Sequence, residues 1–303
     1  MGFVVLFICF VLPLIFAGYF YLKKKYSYFD AKGIPYVKPN SWILGSFGEI
    51  RSKIHLADFY MKSYEENKEK SAVAGFFSMF TPAYIIMDLE TVRNITVKDF
   101  NYFSHRGIYV NEDADKISGH LFSLDGEKWR FLRNKLSPAF TSGKIKMMYE
   151  TVSGKGVNLV QAIEKAAKCG SVDMKEMAIR FTVDSISSCA FGMESNTLKN
   201  EHPEFLEFFK DINNPDGSTM VKSLLVSVFP KLSKFLNLRL FLKKTEEFIC
   251  ENVGGTINFR EKNKIVMNDF LNMLIQLKNK GSIDGGFLGD SRKLTFDECL
   301  AQA

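Results

Sequence analysis

The segment LFSLDGEKWRFLRNKLSPAFTSGKIKMM, residues 121–148, contains a short, well-bounded helix with an unusual charge on it. Asp125 stands where an N-cap is wanted, Glu127 suits the positive end of a helix, and Ser137-Pro138 marks its stop. Counted from Trp129 at helical spacing, Leu132, Arg133, Leu136 and Phe140 share one side, so the spacing puts Arg133 inside an apolar stripe where its charge needs a partner. Trp129 and Arg133 lie one turn apart, and an indole N–H and a guanidinium fork at that spacing can converge on a single carboxylate. A pair with an internal acid, or a cation–π contact past the indole, satisfies the same pattern.

Outward from this helix, the bulk composition sets bounds. A chain of 303 residues, 46% hydrophobic and 24% charged, buries a large core. Its 29 Phe residues suit an aromatic core, a lipid-facing part or an apolar ligand cavity. A net charge of +6 falls far short of a nucleic-acid signature, and no nucleic-acid partner is expected. Cys9, Cys169, Cys189, Cys250 and Cys299 include no Cys-x-x-Cys pair, which argues against a disulfide framework and a zinc site. The four histidines show no i,i+4 pairing, so no metal site is expected.

Residues 1–22 are uncharged, nearly all apolar and followed at once by Lys23, Lys24 and Lys25. Positive charge after the apolar run, rather than before it, reads as a retained transmembrane signal anchor that leaves the body in the cytosol. Residues 23–40 form a basic, Pro-rich linker in which Gly33, Pro35 and Pro39 are expected to hold the chain extended. Asn94-Ile95-Thr96 is a formal glycosylation sequon, which stays bare on a cytosolic domain.

The body, residues 41–303, opens with an amphipathic helix over Ser52–Asn67 and two strands around a turn at Thr81-Pro82. Lys98–Leu124 is a long connection, of a length that tends to be functional. Beyond Phe140 the pattern is almost entirely helical, over Gly143–Ala167, Met174–Phe191, Phe205–Ile212, Leu238–Lys262 and Asn268–Lys280, with GGFLG at 285–289 a plain turn. The fold class is therefore mainly α with a small β-sheet, which excludes a doubly wound nucleotide-binding architecture.

Trp129-x-x-x-Arg133 in its surroundings resembles the C-helix signature of the cytochrome P450 haem-thiolate monooxygenases, most closely the microsomal enzymes of insects. GIPYVKPNSWILGSFGEI, FTPAYIIMDLE, VKDFNYFSHRGIYVNED, FTVDSISSCAFGMESN and NDFLNMLIQLKNKG resemble further landmarks of that family in the right order. The resemblance implies the N-terminal portion of that fold behind a single-pass anchor in the endoplasmic reticulum membrane. It also implies haem as cofactor, insertion of one oxygen atom from O2 into small lipophilic substrates, and electrons from a flavin-containing NADPH reductase. It assigns haem-propionate contacts to Trp129 and Arg133, and a further one to Arg106. His120, Leu121, Phe122, Phe208 and Leu224 are placed near substrate. Lys128, Lys135 and Lys144 belong to a basic surface suited to the acidic reductase.

Three elements of the family pattern are missing. No cysteine lies in the setting of the axial thiolate, the Glu-x-x-Arg pair is absent, and LTFDECLAQA stops at Ala303 before the oxygen-handling turn of the long central helix. Residues 1–303 thus read as roughly the first three-fifths of a family member, expected to be inactive alone. The alternatives are a truncated, non-catalytic membrane-anchored relative that binds a partner or lipophile, and a helical lipid-binding module on an anchor.

Overall fold

A computed structural model describes residues 2–50, 53–199, 203–213, 219, 222–223, 225–226, 229–284 and 291–303, with the side chains of 2–11, 203 and 213 excepted. The expected turn at 285–289 and the candidate Leu224 lie outside the described residues. The chain divides into two compact units, residues 1–104 and 105–303.

In the first unit, α1 (Gly2–Tyr26) is one continuous helix that passes through Pro13 and ends on Lys23, Lys24 and Lys25. Among the described residues no helix is long and apolar enough to cross a membrane. The side chains of residues 1–11, half of the expected anchor, are not among them. α2 (Leu56–Asn67) starts at a capping box built by His55 and Asp58. β1 (Val73–Ser78) and β2 (Thr81–Ile86) pair antiparallel, Val73 opposite Ile86 and Ser78 opposite Thr81. The connecting turn is Met79-Phe80 rather than Thr81-Pro82, with Met79 at φ 55°; Pro82 is accommodated within an edge strand.

Within the Pro-rich stretch, Tyr36 forms a parallel bridge with Gly75 of this ribbon. Val37 N donates to Gly75 O and Gly75 N donates to Pro35 O, both at 2.8 Å. Gly75 is required there, because a Cβ would meet the Phe29 ring at 2.4 Å. Phe29, fully buried, is the hub, with Tyr36, Phe77 and Tyr84 around it at centroid distances of 5.0–5.4 Å. α3 (Leu89–Arg93), capped by Asp88 onto Thr91 N, ends the ribbon and runs on as a π-turn over Asn94–Lys98.

The second unit is helical among its described residues. Its elements are α4 (Gly126–Leu136), α5 (Ser142–Ala167), α6 (Met174–Ile186), α7 (Pro203–Asn213), α8 (Pro230–Phe235), α9 (Lys243–Ile249), α10 (Gly255–Asn263), α11 (Phe270–Lys280) and α12 (Phe296–Gln302). α9 and α10 are joined through a π-turn at Cys250–Gly254. The core lies among α4, α6, α7, α9, α10, α11 and α12, where Ile257, Leu271, Leu274, Leu277 and Cys299 have at most 1% of their surface exposed. Asp184, near the end of α6, accepts from Ser195 Oγ, Thr197 N, Thr197 Oγ1 and Leu198 N, fixing the turn that follows.

Candidate functional site

α4 carries the candidate residues, and its buried stripe is Leu132, Lys135, Leu136, continued by Ala139 in the following turn. These follow i, i+3, i+4, i+7 spacing, so the face is centred about 100° from Arg133. Arg133 is therefore exposed, correcting the expectation that it lies within the apolar stripe. The charge buried on this face is Lys135, which donates from Nζ to the Gly281 carbonyl at 2.6 Å. Gly281 is in the left-handed region at φ 77°, ending α11 and turning its carbonyl to this cation. Phe140 is 60% exposed and does not extend the stripe.

Asp125 occupies the N-cap position of α4 with extended φ and ψ, but its carboxylate makes no capping bond. It accepts from Arg106 N at 2.6 Å and from Gly107 N at 3.2 Å, and His105 Nδ1 lies 3.8 Å from it. The acid expected to cap the helix thus pins the Arg106 backbone to the helix start. The Arg106 guanidinium lies 5.1 Å over the Phe122 ring. Trp129 is half-buried at the edge of the core. Neither Arg106 nor Arg133 forms an ion pair among the described residues, whereas buried Arg260 is matched by Asp269.

His120 is half-buried between Phe122 and Phe241, with ring centroids 6.2 and 5.8 Å away. Burial pushes its imidazole below the ordinary histidine value, which favours the neutral ring at pH 7. The Gln302 side chain of α12 accepts from Leu121 N at 2.8 Å and donates to Gly119 O at 3.1 Å, bracketing His120. This clamp joins residues 181 and 183 positions apart, and no local pattern announces it.

A second brace ties the same loop to residues 237–241. Tyr109 Oη donates to Leu238 O at 2.9 Å, and Asp115 Oδ2 accepts from Leu240 N at 3.0 Å and Phe241 N at 2.8 Å. Asp115 is fully buried, and burial raises its carboxyl above the usual range against the opposing pull of the Phe241 amide and Arg239. A raised folded-state value means that the folded protein holds the proton more tightly. The contribution is complete below the unfolded value of about 3.9 and is lost as pH rises through the folded value. Asp115→Asn is expected to flatten that slope in denaturation curves taken across mildly acidic pH. Asp115→Ala is expected to cost about 1–3 kcal/mol by stranding two amides.

The remaining candidates are placed differently from one another. Phe208 is buried and stacks on Phe248 at 4.3 Å, a packing position within the core. Leu121 is half-buried and Phe122 is 64% exposed. Lys128 is paired with Glu112. Lys135 is turned inward as described, so of the three candidate partner lysines Lys144, partly exposed on α5, is neither paired with an acid among the described residues nor turned into the core.

At three cysteines burial disfavours the thiolate. Burial raises Cys189 and Cys250, and Cys299 is pushed up to about 12 while facing Leu274 O. Cys169 is exposed at the end of α5. Among the described residues no group of acids, histidines and cysteines could hold a metal ion.

Residues 35–302 match the family model described as Cytochrome P450. Among curated proteins, the chain is 39% identical to "Cytochrome P450 6a8" of Drosophila melanogaster over 289 residues, covering 94% of this chain and 56% of that protein. It is 36% identical to "Cytochrome P450 6A1" of Musca domestica over 285 residues, covering 93% and 55%. "Cytochrome P450 6k1" of Blattella germanica is 37% identical over 272 residues, covering 89% and 51%. The chain therefore spans about half the length of the curated relatives it matches.

Proposed function

This chain belongs to the cytochrome P450 family, and from that membership we propose that its residues serve a haem-dependent monooxygenase acting on small lipophilic molecules. Membership brings haem as the cofactor, and bound haem supplies the reductive activation of dioxygen. The donors on α4 fit the anionic edge of such a group. Arg133 projects from the exposed side of the helix one turn from Trp129, and Arg106 is fixed at the helix start through Asp125. The observation that carries the reading is that the guanidiniums of Arg106 and Arg133 form no ion pair among the described residues, in a unit where buried Arg260 and Lys135 are matched by acceptors. Both guanidiniums stay available to carboxylate groups of a ligand.

His120 and Phe122 are the residues proposed to face substrate, held in place by Gln302 and Asp115. A neutral imidazole between two aromatic rings suits a lipophilic molecule better than a charged one. The proposed electron source is a flavin-containing NADPH reductase, with Lys144 on its docking side. The test is reductase-dependent oxygenation of a lipophilic probe by a longer chain that contains this sequence and a downstream cysteine loop. Loss of that activity on Arg133→Ala, with haem content reduced in parallel, supports the reading; wild-type activity and haem content oppose it.

We place the chain at the endoplasmic reticulum membrane, with α1 as a single-pass anchor and the body cytosolic. Continuity of α1 into three lysines supports this orientation. Asn94 is then expected to remain unglycosylated when the chain is translated with microsomes. Its side chain adds a local obstacle, since Asn94 lies in a π-turn with its amide oxygen buried. A glycosidase-sensitive mass shift at this sequon overturns the orientation.

A further inference from the structure

At the C-terminal end of α1 the returning chain encloses a groove of about 510 Å³, lined by Lys23, Tyr26, Asp30, Tyr36, Lys38 and Trp42 among others. Tyr26 Oη donates to Trp42 O at 3.0 Å and to Met79 O at 3.3 Å, so the loop around Trp42 is fastened to the helix. The Trp42 ring rests on Tyr19, with centroids 5.3 Å apart. Tyr19 precedes Lys23 by four residues, so Trp42 meets the helix about 6 Å toward its apolar end from that lysine. The levels follow the order of a bilayer boundary, aromatic rings on the hydrocarbon side and ammonium groups on the water side.

Exposure points the same way. Trp42 and Ile43, adjacent in the loop, are 55% and 62% exposed, and Tyr19 and Phe20 beside them on α1 are 43% and 58% exposed. Lys23 and Lys38 are exposed and form no ion pair among the described residues. The acid in the groove, Asp30, is engaged as acceptor from Tyr36 Oη at 3.0 Å. Two free cations above an apolar, aromatic rim suit an amphiphile with an anionic head and hydrocarbon tails.

We propose that this groove binds the headgroup of an anionic phospholipid, with Lys23 and Lys38 on its phosphate and Trp42 and Ile43 in the interface beside α1. The proposal rests on the reading of α1 as an anchor. It makes residues 38–43 a second contact with the bilayer, which fixes the direction in which α1 leaves it.

The test uses the full chain in phosphatidylcholine vesicles that carry a minor fraction of brominated lipid, either phosphatidylserine or phosphatidylcholine. Trp42 emission is isolated by subtracting that of the Trp42→Phe variant, which retains Trp129. Brominated phosphatidylserine is expected to quench Trp42 as though enriched up to about 30-fold at the site, since each of the two lysines near the surface favours anionic lipid. The preference should vanish in K23A/K38A while the chain stays with the vesicles. Equal quenching by both lipids, or none, in a chain that resists alkaline extraction overturns the headgroup site and leaves the anchor standing. Release of the chain on alkaline extraction overturns the anchor reading, and this proposal with it.

Discussion

Arg260→Ala is expected to destabilise the unit of residues 105–303 by about 3–5 kcal/mol, because it leaves one member of a buried ion pair uncompensated. The Arg260 guanidinium is 2% exposed and forks onto Asp269, with Nη1 2.9 Å from Oδ1 and Nη2 2.6 Å from Oδ2. Its Nη2 also donates to the Gly192 carbonyl at 3.2 Å. Gly192 sits at φ 67°, and a Cβ there would fall 2.2 Å from Arg260 Nη2. Asp269 in turn caps α11 by accepting from Asn272 N at 2.8 Å. One guanidinium therefore holds together the end of the π-turn Ser187–Phe191 that follows α6, α10 and the start of α11. Replacing both charges by apolar residues, Arg260→Met with Asp269→Leu, is expected to recover most of the loss and leave a deficit of about 1 kcal/mol for the missing cap. Urea unfolding of the three chains decides it. A double variant as unstable as the single one would show that lost packing, rather than the stranded carboxylate, sets the cost.

This node marks where reading the sequence succeeds and where it stops. Helices with long, regular apolar spacing and local caps are legible, as with the extents expected for α5 and α11, because their signals lie within a few residues, while the helix expected over Met174–Phe191 runs as α6 to Ile186 and then as a π-turn over Ser187–Phe191. The helix expected from Leu238 begins at Lys243 instead. Leu240 and Phe241 give their amides to Asp115, 125 and 126 residues away, and a partner at that separation leaves no local trace. The sequence of α4 supports two faces. A stripe counted from Trp129 buries Arg133, whereas a stripe counted from Leu132 buries Lys135, and the sequence satisfies both counts. The packing of Leu132 and Leu136 into the core chose the second. Asp125 stands at the N-cap position but does not cap α4 through its side chain; its hydrogen bonds go to Arg106 and Gly107, since a carboxylate can serve a neighbouring loop as readily as its own helix.

Exposure of Arg133 sharpens the second large effect. An arginine buried against an internal acid would lower stability when removed, whatever its functional role. An exposed one with no ion pair among the described residues is expected to be dispensable for folding and to matter only when a ligand anion is present. Arg133→Ala in a longer chain carrying a cysteine loop is therefore expected to weaken haem retention by about 1.5–3 kcal/mol, the worth of a charge-assisted hydrogen bond. Arg133→Lys should restore only part, because an ammonium lacks the planar fork. Arg106→Ala is expected to act in the same direction. Asp125→Ala should act with it, by freeing the backbone that carries Arg106.

The most direct measurement is the rate at which haem passes from that longer chain to an excess of a haem-scavenging globin, compared for wild type, Arg133→Lys and Arg133→Ala. The expected order is slow, intermediate and fast, spanning about 10- to 150-fold, with the urea unfolding of residues 1–303 unchanged by either substitution. Equal haem-loss rates in all three chains, or a loss of stability in haem-free Arg133→Ala, would contradict the assignment of this helix to the cofactor.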